Sequence, residues 1–209
     1  MNKPTFKFES TGACLITPFA APDKRGEFTK DFNSELFRKN GINFTVHEIL
    51  NVTSKKGVLR GMHFQLLNSQ AKVVRCLRGA IIDVIVDLRR HSPTFGKWFA
   101  YELTAENKQM LYVPHGFAHG YLVLEDDTQV EYFCDDTYNP DYDTGLHYLD
   151  PDVNIDWPWD RIDGEENVIV SDKDEELPTL QQLHDADLSS FVGYFDYFGF
   201  EVTHGRKDV

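Results

Sequence analysis

Two stretches of the sequence set proton-exchanging or anion-binding side chains among apolar residues. The first, residues 57–65 (GVLRGMHFQ), contains Arg60 and His63. Arg60 is a permanent cation whose guanidinium can hold a phosphate through two hydrogen bonds. Histidine takes up and releases protons near neutral pH, so His63 could act as an acid or a base. The second stretch, residues 114–121 (PHGFAHGY), contributes His119. We expect both stretches to face one pocket.

A structural role for His63 is the main alternative, because a single histidine among apolar residues is more often a core residue with one hydrogen bond. Arg60 and Lys72 lie close to it in the sequence, and burying two cations without a ligand or partner is costly. A regular strand would place Arg60 and His63 on opposite faces. Gly61 between them could carry a β-bulge that re-aims one of the two. We therefore favour a site here.

His119 and Tyr132 each allow two interpretations. On a strand that begins at Phe117, His119 shares a face with apolar residues, which is typical of a core as well as of a ligand site. Tyr132 lies on a predicted strand from Thr128 to Cys134, where packing is the commoner role. If Tyr132 faces a pocket, its hydroxyl can supply a proton opposite a histidine base.

A metal site is the natural rival for a small barrel that carries several histidines. Such sites usually take two histidines from an H-x-H pair, with a glutamate a few residues later. The corresponding place here is residues 63–65 (HFQ), which lacks the second histidine, and glutamine is a poor metal ligand. We predict no metal. The GxSxG, GxxxxGK[ST] and GxGxxG motifs are also absent from the sequence.

The composition narrows the class of protein. The 209 residues suffice for one domain, and with 34 acidic against 21 basic side chains the net charge is −13. Such a surface disfavours nucleic acids and anionic membranes, so an anionic ligand needs a local cluster of cations. The three cysteines are far apart and form no CxxC pair, which indicates reduced thiols and a cytoplasmic location. We find no signal-peptide pattern and no run as long as a membrane span.

Alternating apolar residues predict a chain of many short strands. The predicted strands after an opening strand or two within residues 5–19 are 73–78, 81–88, 97–103, 109–113, 117–124 and 128–134. This pattern indicates an all-β antiparallel sandwich or barrel. Residues 31–39 predict a short helix capped by Asn33 or Ser34, and a second short helix is predicted after Pro178. The acidic region 135–176 is expected to form an ordered cap over the strands.

Nine motifs follow one another in a fixed order along the chain. They are GVLRGMHFQ (57–65), KVVRC (72–76), DVIVDLR (83–89), SPTFGKW (92–98), LTAEN (103–107), VPHGFAHG (113–120), DP (150–151), IDWP (155–158) and SDKD (171–174). Together they closely resemble the dTDP-4-dehydrorhamnose 3,5-epimerase family over roughly residues 10–181. The resemblance implies a cupin-type β jelly roll at residues 1–181, in most members a homodimer. An aromatic-rich extension at 182–209 would pack on the barrel or on a partner subunit.

The resemblance also implies a reaction and residue roles. The substrate would be a nucleotide-diphosphate sugar, dTDP-linked by preference, with a 4-keto-6-deoxy sugar that is inverted at C3 and C5, or at C3 alone, in the biosynthesis of rhamnose or a similar deoxysugar. No cofactor would take part. His63 would be the base, with Asp174 orienting it, Tyr132 the acid on the opposite face, and Lys72 the cation beside the C4 oxygen. The residues that would bind the substrate are Arg25, Arg60, Lys72, His119, Asp143 and Lys173.

Two places depart from the family pattern. Glu48-Ile49-Leu50 stands where the family usually has Gln-Asp-Asn, and Lys30 stands where it carries a glutamate. Both fall on the nucleotide side of the expected site, so the sequence does not identify which nucleotide and which 4-keto sugar the protein binds. A 3,4-ketoisomerase of the same sugar class and a non-catalytic sugar-nucleotide-binding cupin are the alternative functions.

Overall fold

The computed structural model describes residues 3–67 and 69–185, and nearly all regular structure in these ranges is β-strand. The strands are β1 Thr5–Phe8, β2 Cys14–Thr17, β3 Phe19–Asp23, β4 Gly26–Lys30, β5 Glu48–Ser54, β6 Leu59–Gln65, β7 Lys72–Arg78, β8 Ala80–Asp87, β9 Trp98–Thr104, β10 Met110–Val113, β11 Phe117–Val123, β12 Thr128–Cys134 and β13 Asp143–Gly145. The all-β prediction is confirmed, and the predicted strand 128–134 has the bounds of β12. The predicted strands from residue 73 onward match β7 to β12 to within about one residue, because successive side chains of a strand point to opposite faces. No bounds were predicted for β3 to β6 or for β13.

Three short α-helices accompany the strands in the described ranges: α1 Ser34–Lys39, α2 Asp172–Glu175 and α3 Leu180–Asp185. The Asn33 side chain accepts a hydrogen bond from the Leu36 N–H at 2.9 Å and so caps α1. The predicted helices at 31–39 and after Pro178 are thus both present. No helix among residues 3–67 and 69–185 is long and apolar enough to cross a membrane.

The strands form two facing antiparallel sheets, as in a jelly roll. The larger sheet has the order β1-β2-β10-β7-β12-β5, and the smaller has the order β13-β6-β11-β8-β9. Strands β3 and β4 form a separate hairpin. Most neighbours in each sheet, other than β1–β2 and β8–β9, are distant in sequence. Residues of β6 and β11, and of β7 and β12, therefore meet although the chain between them is long.

The apolar core has three parts. One lies between the sheets and includes Val74, Ile85 and Leu111. A second covers the outer face of the smaller sheet with the predicted cap region, where the buried Trp157 donates a hydrogen bond from Nε1 to the Tyr148 carbonyl at 2.9 Å. The third covers the outer face of the larger sheet with α1 and the residues that follow it. The central strands of both sheets are therefore covered on both faces, whereas the edge strand β5 stays largely exposed.

The aromatic tail is largely outside the described residues. Of the predicted extension 182–209, only residues 182–185, in α3, are described. The prediction that this tail packs on the barrel or on a partner subunit stays a prediction.

Candidate active site

A cavity of about 300 Å³ opens between the two sheets and collects most of the predicted site residues. The predicted residues that border it are Arg60, His63, Lys72, His119, Tyr132, Asp143 and Lys173. They come from β6, β7, β11, β12, β13 and α2. The prediction that residues 57–65 and 114–121 face one pocket is confirmed.

A bulge in β6 brings His63 to the cavity. His63 pairs with His119 across β6 and β11, and Arg60 pairs with Tyr121. Two residues of β6 therefore lie between these pairs, opposite one residue of β11, which defines a β-bulge. Gly61 lies in this bulge with φ 124°, and a Cβ on it would lie 2.5 Å from Gly120 Cα. Only glycine fits such a close approach of two backbones. The bulge predicted at Gly61 is present, and Arg60 and His63 border the same cavity.

A hydrogen bond to Asp174 orients the His63 ring. His63 Nε2 lies 2.8 Å from Asp174 Oδ1, and Asp174 Oδ2 accepts a hydrogen bond from the Gly61 N–H at 3.2 Å. Burial alone would raise the pKa of Asp174, but the hydrogen bonds from His63, Gly61 and Ser171 keep this pKa below its usual value. Asp174 is therefore a carboxylate, and it accepts from Nε2–H. The other ring nitrogen, Nδ1, is then the one that can receive a proton.

The short helix α2 positions Asp174. The Ser171 hydroxyl accepts a hydrogen bond from the Asp174 N–H at 3.2 Å and caps this helix. Asp174 is buried (4% exposed), whereas Lys173 beside it is exposed at the cavity rim. One turn of helix thus gives the site both a buried carboxylate and a surface cation.

Lys72 and Tyr132 border the cavity from the opposite sheet. Lys72 begins β7, and Tyr132 lies on the neighbouring β12. Burial lowers the pKa of Lys72, while the nearby Cys134, Asp143 and Asp83 act in the opposite direction. Burial, together with the neighbouring Tyr121, raises the pKa of Tyr132 well above its usual value. Tyr132 therefore holds its proton firmly at neutral pH.

A second histidine–carboxylate pair lies deeper in the barrel. His119 Nε2 lies 2.5 Å from Asp83 Oδ1, and both residues are buried. Their rigid contact fixes the His119 ring, whose centroid is 6.0 Å from that of Tyr132 in an edge-to-face arrangement. His119 is thus a buried residue that also borders the cavity. Its assignment to substrate binding stays a prediction.

Comparison with known proteins agrees with this geometry. The family model described as dTDP-4-dehydrorhamnose 3,5-epimerase matches residues 7–182. The dTDP-4-dehydrorhamnose 3,5-epimerase of Methanothermobacter thermautotrophicus is 42% identical over 180 residues, which cover 85% of this chain and 96% of that relative. The chain belongs to the dTDP-4-dehydrorhamnose 3,5-epimerase family. The resemblance inferred from the nine motifs is confirmed.

Solved structures of similar proteins extend the match to the whole jelly roll. A dTDP-6-deoxy-D-glucose-3,5-epimerase from Legionella pneumophila, in complex with dTDP-4-keto-L-rhamnose, has a TM-score of 0.82 and 37% identity, covering 89% of this chain and 97% of that one. A 3'-monoepimerase from Streptomyces bikiniensis, in complex with dTDP-quinovose, has a TM-score of 0.80 and 34% identity, covering 93% and 99%. The similar structures therefore include both a 3,5-epimerase and a 3'-monoepimerase.

Cations surround the mouth of this family member's cavity although the chain as a whole is acidic. Arg60 donates a hydrogen bond from Nε to Ser54 Oγ at 3.2 Å, and Lys173 forms an ion pair with Asp143. Asp143 also accepts a hydrogen bond from the Tyr138 hydroxyl at 3.0 Å. Arg60, Lys72 and Lys173 together form the local cation cluster that an anionic ligand would need in a chain of net charge −13.

Arg25 lies apart from the other predicted site residues. It occupies the turn of the β3–β4 hairpin, where its side chain is 83% exposed and pairs with Asp23 at 2.6 Å. It does not border the cavity of its own chain. Lys30, one of the two departures from the family pattern, is exposed on the same hairpin. The assignment of Arg25 to substrate binding stays a prediction.

The other departure lies at the rim of the cavity. Leu50 borders the cavity and is 43% exposed. Glu48 accepts hydrogen bonds from Gln70 Nε2 at 3.4 Å and from the Tyr138 N–H at 3.1 Å. Glu48 thus ties three chain segments together at a place where the family usually carries glutamine.

Four residues of the site were not singled out by the sequence analysis: Asp83, Tyr121, Tyr138 and Gln70. Asp83 carried a usable signal, because a carboxylate within an apolar strand needs a buried partner. Tyr121 and Tyr138 carried none, since tyrosines are common in strands and loops. Among the described residues, no three His, Cys, Asp or Glu side chains are grouped so that they could hold a metal ion.

Proposed function

We propose that this protein is an epimerase that inverts C3 and C5, or C3 alone, of a nucleotide-linked 4-keto-6-deoxy sugar. Family membership supports this assignment. The observation that carries it is the His63–Asp174 hydrogen bond of 2.8 Å beside a cavity that Lys72 and Tyr132 also border. C3 and C5 are the carbons on either side of the C4 ketone, so the same base, acid and cation can serve both.

His63 takes the proton. Its Nδ1 receives the proton from the substrate carbon, and the Asp174 carboxylate stabilises the imidazolium that forms. Since the Gly61 N–H holds the second oxygen of Asp174, the carboxylate cannot turn away from the ring. A base positioned in this way contributes on the order of 10²–10⁴-fold to the rate.

Lys72 stabilises the enolate. When the carbon loses its proton, negative charge moves to the C4 oxygen, and an ammonium group beside that oxygen offsets it. Lys72 borders the cavity between the two sheets, where water screens a charge less than it does in bulk solution. Because burial lowers the pKa of Lys72, an anion bound beside it also helps to keep it protonated.

Tyr132 returns a proton from the other side of the sugar. It lies on the larger sheet, whereas His63 lies on the smaller one, so a sugar between the sheets would meet the base on one face and the acid on the other. Inversion requires this arrangement, because return of the proton by His63 itself would restore the original configuration. We expect Tyr132→Phe to slow turnover while some proton exchange at the substrate carbon continues.

We propose a dTDP-linked substrate. Arg60 and Lys173 supply charge and hydrogen-bond donors suited to a diphosphate, and dTDP-linked sugars are the ligands of the similar structures described above. The test is incubation with dTDP-4-keto-6-deoxyglucose, followed by NMR of the product. Inversion at C3, with or without C5, supports the proposal. A ketone moved to C3 would indicate a ketoisomerase, and binding by calorimetry without any reaction would indicate a non-catalytic cupin.

We also propose that the protein works as a homodimer in the cytoplasm. Arg25, which the family resemblance assigns to the substrate, lies outside its own cavity on a hairpin that exposes 60% of Phe28. A second copy could cover this hairpin and receive Arg25 at its own site. The three cysteines are free and buried, which suits a reducing compartment. Light scattering would test the dimer, and a monomer with full activity would contradict it.

A further inference from the structure

His115 is a largely buried histidine that the reaction as described so far does not use. It lies in the turn between β10 and β11 and does not border the cavity of its own chain. Its Nε2 lies 2.9 Å from Asp135 Oδ2, and its Nδ1 contacts the Ser69 carbonyl. The side chains of His115 and Asp135 are 21% and 13% exposed, so the protein shields most of this contact from water.

The two partners of His115 determine its charge. A backbone carbonyl can only accept a hydrogen bond, so Nδ1 carries a proton. A carboxylate can also only accept, so Nε2 carries a proton as well. His115 is therefore an imidazolium, and the carboxylate of Asp135 balances its charge. Burial alone would lower the pKa of His115, but Asp135, the Ser69 carbonyl and the nearby Asp136 raise it, in agreement with this geometry.

Asp135 extends this contact to the chain segment that leads into Lys72. Its Oδ1 accepts a hydrogen bond from the Ala71 N–H at 2.7 Å, and its own N–H donates to the Ala71 carbonyl at 3.2 Å. Ala71 immediately precedes Lys72, which pairs with β12 on one side and with β10 on the other. His115 and Asp135 therefore hold the backbone at the point where β7 begins.

We propose that His115 is a positioning residue for Lys72, because its imidazolium holds together the contacts of residues 69–71, from which the lysine enters the cavity. Two residues of this segment, Ser69 and Gln70, themselves border the cavity. The inference rests on the proposed role of Lys72 beside the C4 oxygen of the sugar. His115 keeps both of its protons throughout the reaction and acts only through the segment that it holds.

The position of an ammonium group decides how strongly it stabilises an enolate. A charged group lowers the barrier most when it already lies where negative charge develops, and a misplacement of about 1 Å can lower a rate about a hundredfold. Without the imidazolium, the Asp135 carboxylate would have no cation beside it and would turn toward water, which releases the Ala71 N–H. The backbone before Lys72 would then shift and carry the ammonium group away from the C4 oxygen.

The test is His115→Gln, with His184→Gln as the matched control. A glutamine amide carries no charge, and its single nitrogen cannot take the place of two ring nitrogens. His184 also pairs with an aspartate, Asp185, at 3.3 Å, but it is exposed on α3 and does not border the cavity. We expect His115→Gln to lower kcat for dTDP-4-keto-6-deoxyglucose on the order of tenfold, the lower end of what one hydrogen bond to a charged group contributes, with KM changed less than about twofold. His184→Gln should leave both unchanged.

Two further readouts separate positioning from a general loss of packing. In heavy water, deuterium exchange and product formation should fall by the same factor in His115→Gln, because the enolate that Lys72 stabilises precedes both. In the Lys72→Met background, His115→Gln should cause no added loss of kcat, because it acts through Lys72. A multiplied loss in that background, a raised KM with unchanged kcat, or an unchanged kcat in the single variant would overturn the inference.

The same set of variants distinguishes this inference from the proposed function. Wild-type turnover by Lys72→Met would remove Lys72 as the cation of the enolate, whatever His115→Gln does. A strong loss in Lys72→Met with none in His115→Gln would overturn only the role of His115. If His115→Gln does not fold, Asp135→Ala is measured in its place, because it removes the acceptor of the Ala71 N–H from the same set of contacts. We expect the same loss of kcat from it, and a kcat within about twofold of the wild type would overturn the inference.

Discussion

Replacement of Asp174 by asparagine tests the base most sharply, because the change removes a charge and keeps the shape. One oxygen of the carboxylate accepts a hydrogen bond from His63 Nε2 at 2.8 Å, and the other accepts one from the Gly61 N–H at 3.2 Å. An amide offers one oxygen and one NH₂ group, so it can accept only one of these two bonds. One N–H donor in the buried site is then left without an acceptor, which lowers the free energy of unfolding by about 1–3 kcal/mol.

Both orientations of the introduced amide harm the base. If the amide oxygen faces the Gly61 N–H, the NH₂ group faces His63 and forces the tautomer that carries its proton on Nδ1, the nitrogen that must be empty. If the amide oxygen faces His63, the ring keeps its tautomer, but the imidazolium loses the negative charge beside it. The Gly61 N–H then faces the amide NH₂ group, so two donors meet without an acceptor. In a serine protease triad the equivalent substitution lowers kcat about 10⁴-fold. We expect a loss on the order of 10³–10⁴-fold here, by analogy with that triad.

The assay is the initial rate of deuterium incorporation into dTDP-4-keto-6-deoxyglucose, with product formation measured in parallel. Asp172→Asn is the matched control, because Asp172 lies in the same short helix and is exposed. We expect its rates to equal those of the wild type within about twofold, in keeping with a surface change. Exchange by Asp174→Asn within about tenfold of the wild-type rate, in a protein that is folded by circular dichroism, would refute the proposed dyad.

Two other predictions follow from charged groups at or near the cavity. Lys72→Met should lower kcat on the order of 10²–10³-fold, because the enolate loses its cation; steady-state kinetics measure this, and a changed KM with unchanged kcat would instead assign Lys72 to binding alone. The second concerns His115, whose Nε2 lies 2.9 Å from Asp135 and whose Nδ1 contacts the Ser69 carbonyl. Burial alone would lower the pKa of His115, but Asp135 and the Ser69 carbonyl raise it above its usual value. A raised folded-state pKa contributes stability below the unfolded value of about 6.5 and loses it as the pH rises through the folded-state pKa. The melting temperature of the wild type should therefore fall more steeply above about pH 6.5 than that of His115→Gln, and parallel curves would contradict a charged His115.

Local signals in the sequence were enough to predict strands β7 to β12 and the helices α1 and α3, but they gave no bounds for β3 to β6, β13 or α2. Alternation marked β8 and β12, and Asn33 marked the start of α1, because each depends on neighbours in sequence. Gly61 even indicated the bulge of β6. The pairing of β6 with β11 and β13, however, depends on contacts between distant segments, which no local pattern encodes.

The site was predictable only where a motif carried it. The roles of His63, Lys72, Tyr132 and Asp174 came from the family resemblance, since nothing in their spacing shows that β6, β7, β12 and α2 converge. Tyr121 was out of reach for a different reason: its position at the cavity wall beside Tyr132 is a property of the packed barrel. For Arg25 the resemblance and the structure of one chain do not coincide. The resemblance assigns Arg25 to substrate binding, whereas within one chain it is exposed on a hairpin and does not border the cavity.

The most direct test of the account is hydrogen exchange by His63→Ala. The wild-type protein in heavy water should place deuterium at C3, and at C5 if both carbons are epimerised, in dTDP-4-keto-6-deoxyglucose. His63→Ala, folded and still able to bind dTDP, should place none above the rate without protein. Exchange at the wild-type rate in that variant would show that another group removes the proton, and the proposed mechanism would be wrong.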